Sequence, residues 1–136
     1  MRFMLLMIPK GYESAPPGTL PDVEHVAAMT GYTQELQKAG VLLTLEGLHP
    51  PSMGARVAFT GGRARVLDGP FAETKEVLGG FWMIQVRSRE EAIAWATRCP
   101  ARDDEVLEVR QVQDITDFPP DVQRAAAGIS EPHERS

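Results

Sequence analysis

The chain has 136 residues, a net charge of −5 at pH 7 and one cysteine, Cys99. This length indicates one domain with its own core. The lone cysteine excludes an internal disulfide and is typical of a reducing, cytoplasmic setting. The negative charge argues against a nucleic-acid partner, which needs a basic surface. The apolar run at residues 3–8 is too short to span a membrane and has no cleavage site behind it, so we expect an unexported protein without a membrane partner.

The first half of the chain predicts a strand, a helix, a second strand and a hairpin. Residues 3–8 are apolar at both alternating sets of positions, which predicts a strand buried on both faces. A loop rich in proline and glycine follows. Residues 22–39 predict a helix, because their apolar residues fall within a stripe about 100° wide, and Gly40 is suited to end it. A strand follows from Val41. Two further strands flank Gly61 and Gly62, a pair that favours a tight two-residue hairpin turn. In this hairpin, Val57 and Phe59 could share a face with Ala64 and Val66.

The second half repeats the alternation of strand and helix. Residues 79–86 predict a strand with few polar positions, and residues 105–112 predict the last one. Between them, Ser88 and Glu91 have the spacing of a capping box for a second helix that reaches Cys99. Residues 119–127 predict a short terminal helix before a polar tail that we expect to be frayed. We therefore divide the chain into a domain at 1–117 and a C-terminal extension at 118–136.

The order β-α-β, hairpin, β-α-β predicts an α+β fold of the ferredoxin-like, split β-α-β type with an inserted hairpin. Two helices in this arrangement cover one face of the sheet. The first strand is nevertheless apolar on both sides, so the other face needs a cover. We expect a homodimer whose two sheets pack into a barrel-like core. The alternative is a monomer in which the terminal helix covers that face.

Residues 68–76, DGPFAETKE, concentrate charge next to a predicted turn. The turn is Asp-Gly-Pro, in which the aspartate side chain can accept hydrogen bonds from the backbone ahead of it. An acid–base pair or an anion site could be built from such a cluster, and the alternative is a solvated loop with weak ion pairs. The ionisable residues of the segment are Asp68, Glu73, Lys75 and Glu76.

DGPFAETKE, followed by LGGFWMIQV, resembles the signature of the DGPF-domain branch of the YCII-related protein family. SREEAIAWATRCP and EVLEVRQV resemble the second helix and last strand of that family, and the resemblance covers about residues 1–117. It implies a ferredoxin-like fold that assembles as a dimeric α/β barrel. It implies little about function, because most members of this branch are uncharacterised. Some are encoded beside, or fused to, extracytoplasmic-function sigma factors.

A better-understood branch of the same family includes a dehydrochlorinase of a chlorinated hydroxyquinol, for which a His–Asp pair is proposed. In that pattern the histidine lies eleven residues before the glycine that ends the first helix. Counting back from Gly40 reaches Met29, and a thioether cannot exchange protons. His25, one turn earlier on the same stripe, is the candidate substitute, although a histidine in this position is more often a packed residue.

Two functional hypotheses follow. The first is a cofactor-independent enzyme that eliminates or isomerises a small polar ring compound. Its candidate bases are Glu46, Asp68 and Glu73, its proton carriers His25 and His49, its anion-holding residues Arg65 and Lys75, and its pocket-lining aromatic residues Tyr32 and Trp82. No metal is expected, because residues three apart on a strand, such as Glu46 and His49, point to opposite faces. The second hypothesis is a regulatory module that binds a sigma factor or a small-molecule signal.

Overall fold

The computed structural model describes residues 1–71 and 74–128. Within these residues, the strands and α-helices in chain order are β1 Arg2–Ile8, α1 Val23–Lys38, β2 Leu42–Gly47, β3 Ala55–Thr60, β4 Arg63–Asp68, β5 Gly80–Gln85, α2 Arg89–Thr97, β6 Val106–Gln111 and α3 Pro120–Ala125. Short 3-10 turns lie at Tyr12–Ser14, Pro51–Met53 and Ile115–Asp117. The predicted α+β class and the predicted order of strands and helices are confirmed.

Four strands form one antiparallel sheet in the order β2-β5-β1-β6. β1 is central, and its Leu5 pairs with Trp82 of β5 on one side and with Val109 of β6 on the other. Side chains directly opposite each other in a sheet share a face, so these three residues point the same way. β3 and β4 form a separate two-stranded sheet.

The sheet face that carries Leu5 forms the core, because α1 and α2 both pack on it. The buried residues of this core are Phe3, Leu5, Met7, Tyr32, Leu36, Trp82, Ile84, Val86 and Ala92. Full burial of an apolar side chain of this kind stabilises the fold by roughly 1.5–3 kcal/mol. The core therefore fixes the distance between α1 and the sheet, where a cleft is described below.

The opposite side of the sheet is apolar at its centre, where five side chains are half-buried, and it carries charge on its outer strands at Glu46, Glu108 and Arg110. We call the five half-buried apolar side chains the open sheet face: Met4, Leu6, Ile8, Phe81 and Met83. The prediction that the first strand is buried on both faces is wrong for the single chain. The physical reason is that α1 and α2 both pack against the Leu5 side.

The boundaries of α1 follow from local chemistry. Asp22 caps its start, where one carboxylate oxygen accepts a hydrogen bond from the backbone N–H of His25 at 2.8 Å. Gly40 ends it with a φ of 71°, a left-handed conformation that glycine adopts without steric cost. The backbone N–H of Gly40 donates to the carbonyl of Gln37 at 3.0 Å. The predicted helix stop is confirmed.

The start of α2 differs in one contact from the predicted capping box. The hydroxyl of Ser88 accepts from the backbone N–H of Glu91 at 3.1 Å, as expected. The carboxylate of Glu91, however, accepts from the backbone N–H of Arg87 at 3.0 Å. In a capping box the Glu91 carboxylate would accept from the backbone N–H of Ser88, so the observed bond lies one residue earlier.

The β3–β4 hairpin turns through Gly61 and Gly62, whose φ values of 58° and 77° are both left-handed. Two successive positive φ values are the requirement of a type I′ turn, which matches the twist of the strands. The predicted hairpin is confirmed. Its register also places Val57 opposite Val66 and Phe59 opposite Ala64, on one shared face as predicted.

The terminal helix is confirmed within the predicted residues 119–127 and contains no buried residue. The predicted polar tail begins at Gly128, and its residues 129–136 lie outside the described residues. In the part of the chain that the structure describes, no helix has the length and apolar character that crossing a membrane requires.

Candidate functional site

A cleft lies between the start of α1 and the edge of the sheet where β1 and β2 end and β5 begins. It consists of two adjoining cavities of about 450 and 460 Å³, which we call the inner and outer cavity and together the α1 cleft. Both volumes fall within the range of small-molecule sites. The residues that line both cavities are Met7, Pro21, His25, Gly47 and Gly79.

Glycines form the floor of the cleft because the chain segments approach each other closely there. The backbone N–H of Gly79 donates to the carbonyl of Met7 at 2.8 Å, and its carbonyl accepts from the N–H of Leu48 at 2.9 Å. A Cβ at Gly79 would lie 2.5 Å from a ring carbon of Pro9. A Cβ at Gly80 would lie 2.6 Å from the carbonyl oxygen of Glu46. Any side chain at these two positions would force the strand ends apart.

The inner cavity is mainly apolar and is organised by Trp82. The indole N–H of Trp82 donates to the hydroxyl of Thr33 at 3.0 Å. Its ring also meets that of Tyr32 edge to face, with centroids 5.2 Å apart and an angle of 89° between the planes. Val26 and Met29 of α1 complete the apolar wall. Trp82 is thus held from two sides, and the small part of it that is exposed adds to an apolar wall.

The outer cavity carries charge. Arg102 donates to both carboxylate oxygens of Asp22, at 3.0 and 2.8 Å. These hydrogen bonds, and then that from the backbone N–H of His25, lower the pKa of Asp22 from its ordinary value. Lys10, which also lines this cavity, pairs with Asp104 at 3.0 Å. The Asp22 carboxylate is therefore ionised at neutral pH and ties the loop before β6 to the start of α1.

The hydroxyl of Tyr12 closes one side of the outer cavity by donating to the carbonyl of Leu48. Partial burial raises the pKa of Tyr12. The phenol is therefore neutral at physiological pH and acts as a hydrogen-bond donor that joins the loop after β1 to the end of β2.

His25 occupies the junction of the two cavities. It is the third residue of α1, it is half-buried, and its backbone N–H is engaged by the Asp22 cap. Within residues 1–71 and 74–128, its imidazole takes part in no hydrogen bond. A ligand in either cavity would thus lie next to an imidazole whose position is set by the first turn of a helix.

Four of the residues predicted as site residues line the α1 cleft. His25, Glu46 and Trp82 line the inner cavity, and His49 lines the outer one. The side chain of Glu46 nevertheless points elsewhere. Glu46 pairs with Phe81 of the open sheet face, whereas its neighbour Leu45 pairs with Trp82. Glu46 therefore contributes backbone to the cleft, and its carboxylate lies on the other side of the sheet from His25.

The other predicted site residues that the structure describes lie outside the cleft. Tyr32 is 3% exposed, and its hydroxyl donates to the carbonyl of Trp95 at 2.6 Å, so it belongs to the core. Burial raises the pKa of Tyr32. Arg65 and Asp68 are exposed on β4, and Lys75 is exposed in the loop that follows. Glu73 lies outside the described residues.

The described part of the DGPFAETKE segment has structural contacts. The backbone N–H of Gly69 donates to the carbonyl of Gly54 at 2.9 Å, and the Gly69–Pro70 peptide is cis. The guanidinium of Arg56 lies 4.1 Å from the centre of the Phe71 ring and donates to the hydroxyl of Thr74 at 2.8 Å. Phe71 and Thr74 of the segment therefore connect the base of the hairpin, through Arg56, to the chain that follows β4.

Sequence reasoning missed most polar residues of the outer cavity, namely Lys10, Tyr12, Thr19, Asp22, Arg102 and Glu105. Asp22 and Arg102 are 80 residues apart, and no local pattern connects them. The one available signal was the position of Asp22 just before an apolar helical stripe, which is typical of a helix cap. That signal predicts a hydrogen bond to the backbone and gives no indication of the arginine.

The family model of the YCII-related domain matches residues 1–116. The chain belongs to the YCII-related domain family. A similar protein is an uncharacterised protein of Rhizobium meliloti (strain 1021), 42% identical over 59 residues. That alignment covers 43% of this chain and 48% of the relative, so the chain spans about half the length of the curated relative that it matches. In the described part of this YCII-related protein, no group of three or more His, Cys, Asp or Glu side chains could hold a metal ion.

Proposed function

We propose that this YCII-related protein binds a small molecule in the α1 cleft and performs cofactor-independent acid–base chemistry on it. The reaction would be an elimination or isomerisation in which His25 moves the proton. The observation that carries the proposal is the position of His25, half-buried where the inner and outer cavities meet. Imidazole is the side chain that most often transfers protons in enzymes, and it needs to be within hydrogen-bond reach of the reacting atom.

The two cavities suit two different parts of one ligand. The inner cavity offers Trp82, Val26 and Met29 to a flat apolar body. The outer cavity offers a polar group the Arg102–Asp22 and Lys10–Asp104 ion pairs beside the hydroxyl of Tyr12. A small ring compound with a polar substituent such as a hydroxyl has this shape and polarity, and binding across the junction would place its middle beside His25.

His25 is also the base that the geometry favours over the carboxylates. Asp22 is ionised but occupied by Arg102, so we assign it a positioning role at the start of α1. Glu46 has its carboxylate on the opposite side of the sheet. Met29, where the dehydrochlorinase pattern would place a histidine, lines the same inner cavity as His25. This shared position supports His25 as the substitute for the family histidine.

Deuterium incorporation tests this proposal without knowledge of the natural reaction. Small cyclic ketones and hydroxylated ring acids would be incubated with the protein in D₂O, and exchange of their carbon-bound protons followed by NMR. We expect His25→Gln to slow the exchange of a responsive compound by about 10²–10⁴-fold. Glu24→Gln is the matched control, because Glu24 is the neighbouring exposed residue and lines neither cavity. Exchange by His25→Gln at the wild-type rate would show that His25 does not move the proton.

We also propose that the protein works as a homodimer with a ferredoxin-like arrangement of each chain. The strand order β2-β5-β1-β6, with α1 and α2 on one face, supports this arrangement. The apolar open sheet face supports a second copy as its cover. Sedimentation equilibrium should give twice the chain mass of 14.9 kDa.

A further inference from the structure

Gly47 is the last residue of β2, and its backbone N–H faces the free edge of the sheet. In an antiparallel pair, the N–H and C=O groups of successive residues point alternately toward the partner strand and away from it. The N–H of Leu48 donates to the carbonyl of Gly79, just before β5, at 2.9 Å. Gly47, one position earlier, therefore directs both of its groups away from β5. Since β2 is an edge strand, no strand of the described chain lies on that side.

The bonds between β5 and β1 lead to the same assignment. Met1 and Val86 exchange two backbone hydrogen bonds of 2.9 Å each, so Val86 and every second residue before it face β1. Gly80, which pairs with Gly47, belongs to this set. The two glycines are therefore a non-hydrogen-bonded pair, and the N–H of Gly47 is left for solvent or a ligand.

Gly47 also lies on the α1 side of the sheet, where it lines both the inner and the outer cavity. It follows Leu45 by two residues, and Leu45 faces α1, so a Cβ at position 47 would point toward α1 as well. Such a Cβ would meet no atom within 4 Å. The space that a side chain would fill is thus open, and a ligand in the α1 cleft can reach the backbone of Gly47.

Among the described residues that line both cavities, Gly47 has the one N–H without a partner in the protein. Pro21 has no N–H. The N–H of His25 donates to the cap of α1, and that of Gly79 donates to the carbonyl of Met7. Met7 itself lies in β1, which has a neighbouring strand on either side. The junction of the cavities therefore combines one free backbone donor, fixed by the sheet, with one imidazole, fixed by the helix.

We propose that the backbone N–H of Gly47 binds the carbonyl oxygen of the substrate and stabilises the negative charge that this oxygen gains when His25 removes a proton from the adjacent carbon. This inference rests on the proposed function. It narrows the substrate class to small ring compounds in which a carbonyl group lies next to a C–H bond. Backbone N–H groups aimed at a developing oxyanion are a frequent source of such stabilisation in enzymes.

The proton transfer gives an enolate. The imidazole takes the proton, the electron pair of the C–H bond forms a carbon–carbon double bond, and the carbonyl π pair moves onto the oxygen. In an isomerisation, the proton returns to a different carbon as the carbonyl re-forms. In an elimination, the carbonyl re-forms, a double bond forms to the next carbon, and a leaving group departs from that carbon with its bonding pair.

Binding of 4-nitrophenolate tests the donor without knowledge of the natural substrate, because a phenolate and an enolate are both flat and carry a negative oxygen. The amide of Gly47 would be replaced by an ester, with glycolic acid at position 47, which removes the N–H. We expect this protein to bind 4-nitrophenolate at least tenfold more weakly at pH 8, as the loss of a hydrogen bond to a charged group predicts. It should bind 4-nitroanisole, which has a similar shape without the charge, within threefold of the wild type.

The matched control is the same ester replacement at Val109 in β6, the other edge strand. The N–H of Val112 donates to the carbonyl of Arg2 at 2.9 Å, so Val109, three positions earlier, directs its own N–H to the free edge of β6. Val109 lines neither cavity. This ester should leave the affinity for 4-nitrophenolate within threefold, and circular dichroism checks the fold of both proteins.

Proton exchange of cyclohexanone in D₂O separates this inference from the proposed function. The Gly47 ester should slow the exchange by about 10²–10³-fold. An ester that weakens both probes equally or neither, or a wild type that binds 4-nitrophenolate no more tightly than 4-nitroanisole, would overturn the role of Gly47, and exchange that still depends on His25 would leave the proposed function standing. Conversely, selective loss of 4-nitrophenolate in the Gly47 ester, together with exchange that His25→Gln does not slow, would support the oxyanion donor and overturn proton transfer by His25.

Discussion

Replacing Gly69 by alanine should destabilise the protein, although residue 69 is distant from the α1 cleft. A Cβ at this position would lie 1.7 Å from the carbonyl oxygen of Pro51 and 2.6 Å from its carbonyl carbon. Both atoms belong to backbone, so β4 and the Pro51–Met53 turn must separate. Overpacking of this kind costs about 1–3 kcal/mol. Loss of the hydrogen bond from Gly69 to Gly54 adds about 1 kcal/mol, so we expect about 2–4 kcal/mol in total.

Urea unfolding of Gly69→Ala beside Gly54→Ala measures this cost. The two glycines are joined by a hydrogen bond, but a Cβ at Gly54 would lie 3.6 Å from the carbonyl oxygen of Pro51, an ordinary contact. Gly54→Ala should therefore change the free energy of unfolding by no more than about 1 kcal/mol. If the two variants were equally stable, the close packing at Gly69 would not be the reason for glycine there.

Two further predictions concern titratable groups. The pKa of Asp22 is lowered, so its contribution to stability is present above the ordinary aspartate pKa of about 3.9 and is lost as the pH falls through the lower folded value. The free energy of unfolding of Asp22→Asn should therefore decline less than that of the wild type between pH 5 and pH 2, and parallel curves in urea titrations would contradict the ion pair with Arg102. Burial, followed by the charge of Glu105, raises the pKa of Cys99 to about 11. Its reaction with a disulfide reagent at pH 8 should be at least tenfold slower in the folded protein than in urea, and equal rates would contradict the burial.

The parts of the fold that follow from neighbouring residues could be predicted from the sequence. Gly61 and Gly62 satisfy the two positive φ values of a hairpin turn, and Gly40 ends α1, because these conformations depend on the glycines themselves. Alternation along the strand also predicted which side chains share a face in the hairpin. Each of these predictions needs information from only a few adjacent positions.

The position of Glu46 could not be predicted, because it depends on an irregularity in β2. The register shifts between Leu42 and Thr44, so one extra residue enters the strand at that point. Strict alternation from Leu42 would place Thr44 and Glu46 on the side of α1. The shift turns Leu45 to that side instead and moves the carboxylate of Glu46 to the open sheet face. A single bulge, without a sequence signal such as a strand glycine, thus separates Glu46 from His25.

The DGPFAETKE segment is connected to the α1 cleft by the chain that follows it. The segment fastens the hairpin base through Gly69 and Phe71, and the chain then buries Val77, which is 7% exposed. Two residues later, Gly79 bonds to the ends of β1 and β2 and forms the floor of the α1 cleft. The distance along the chain from Gly69 to Gly79 is short, so a displaced segment would disturb the floor beside His25. The segment therefore supports the cleft and the hairpin structurally, while the side chain proposed to transfer the proton comes from α1.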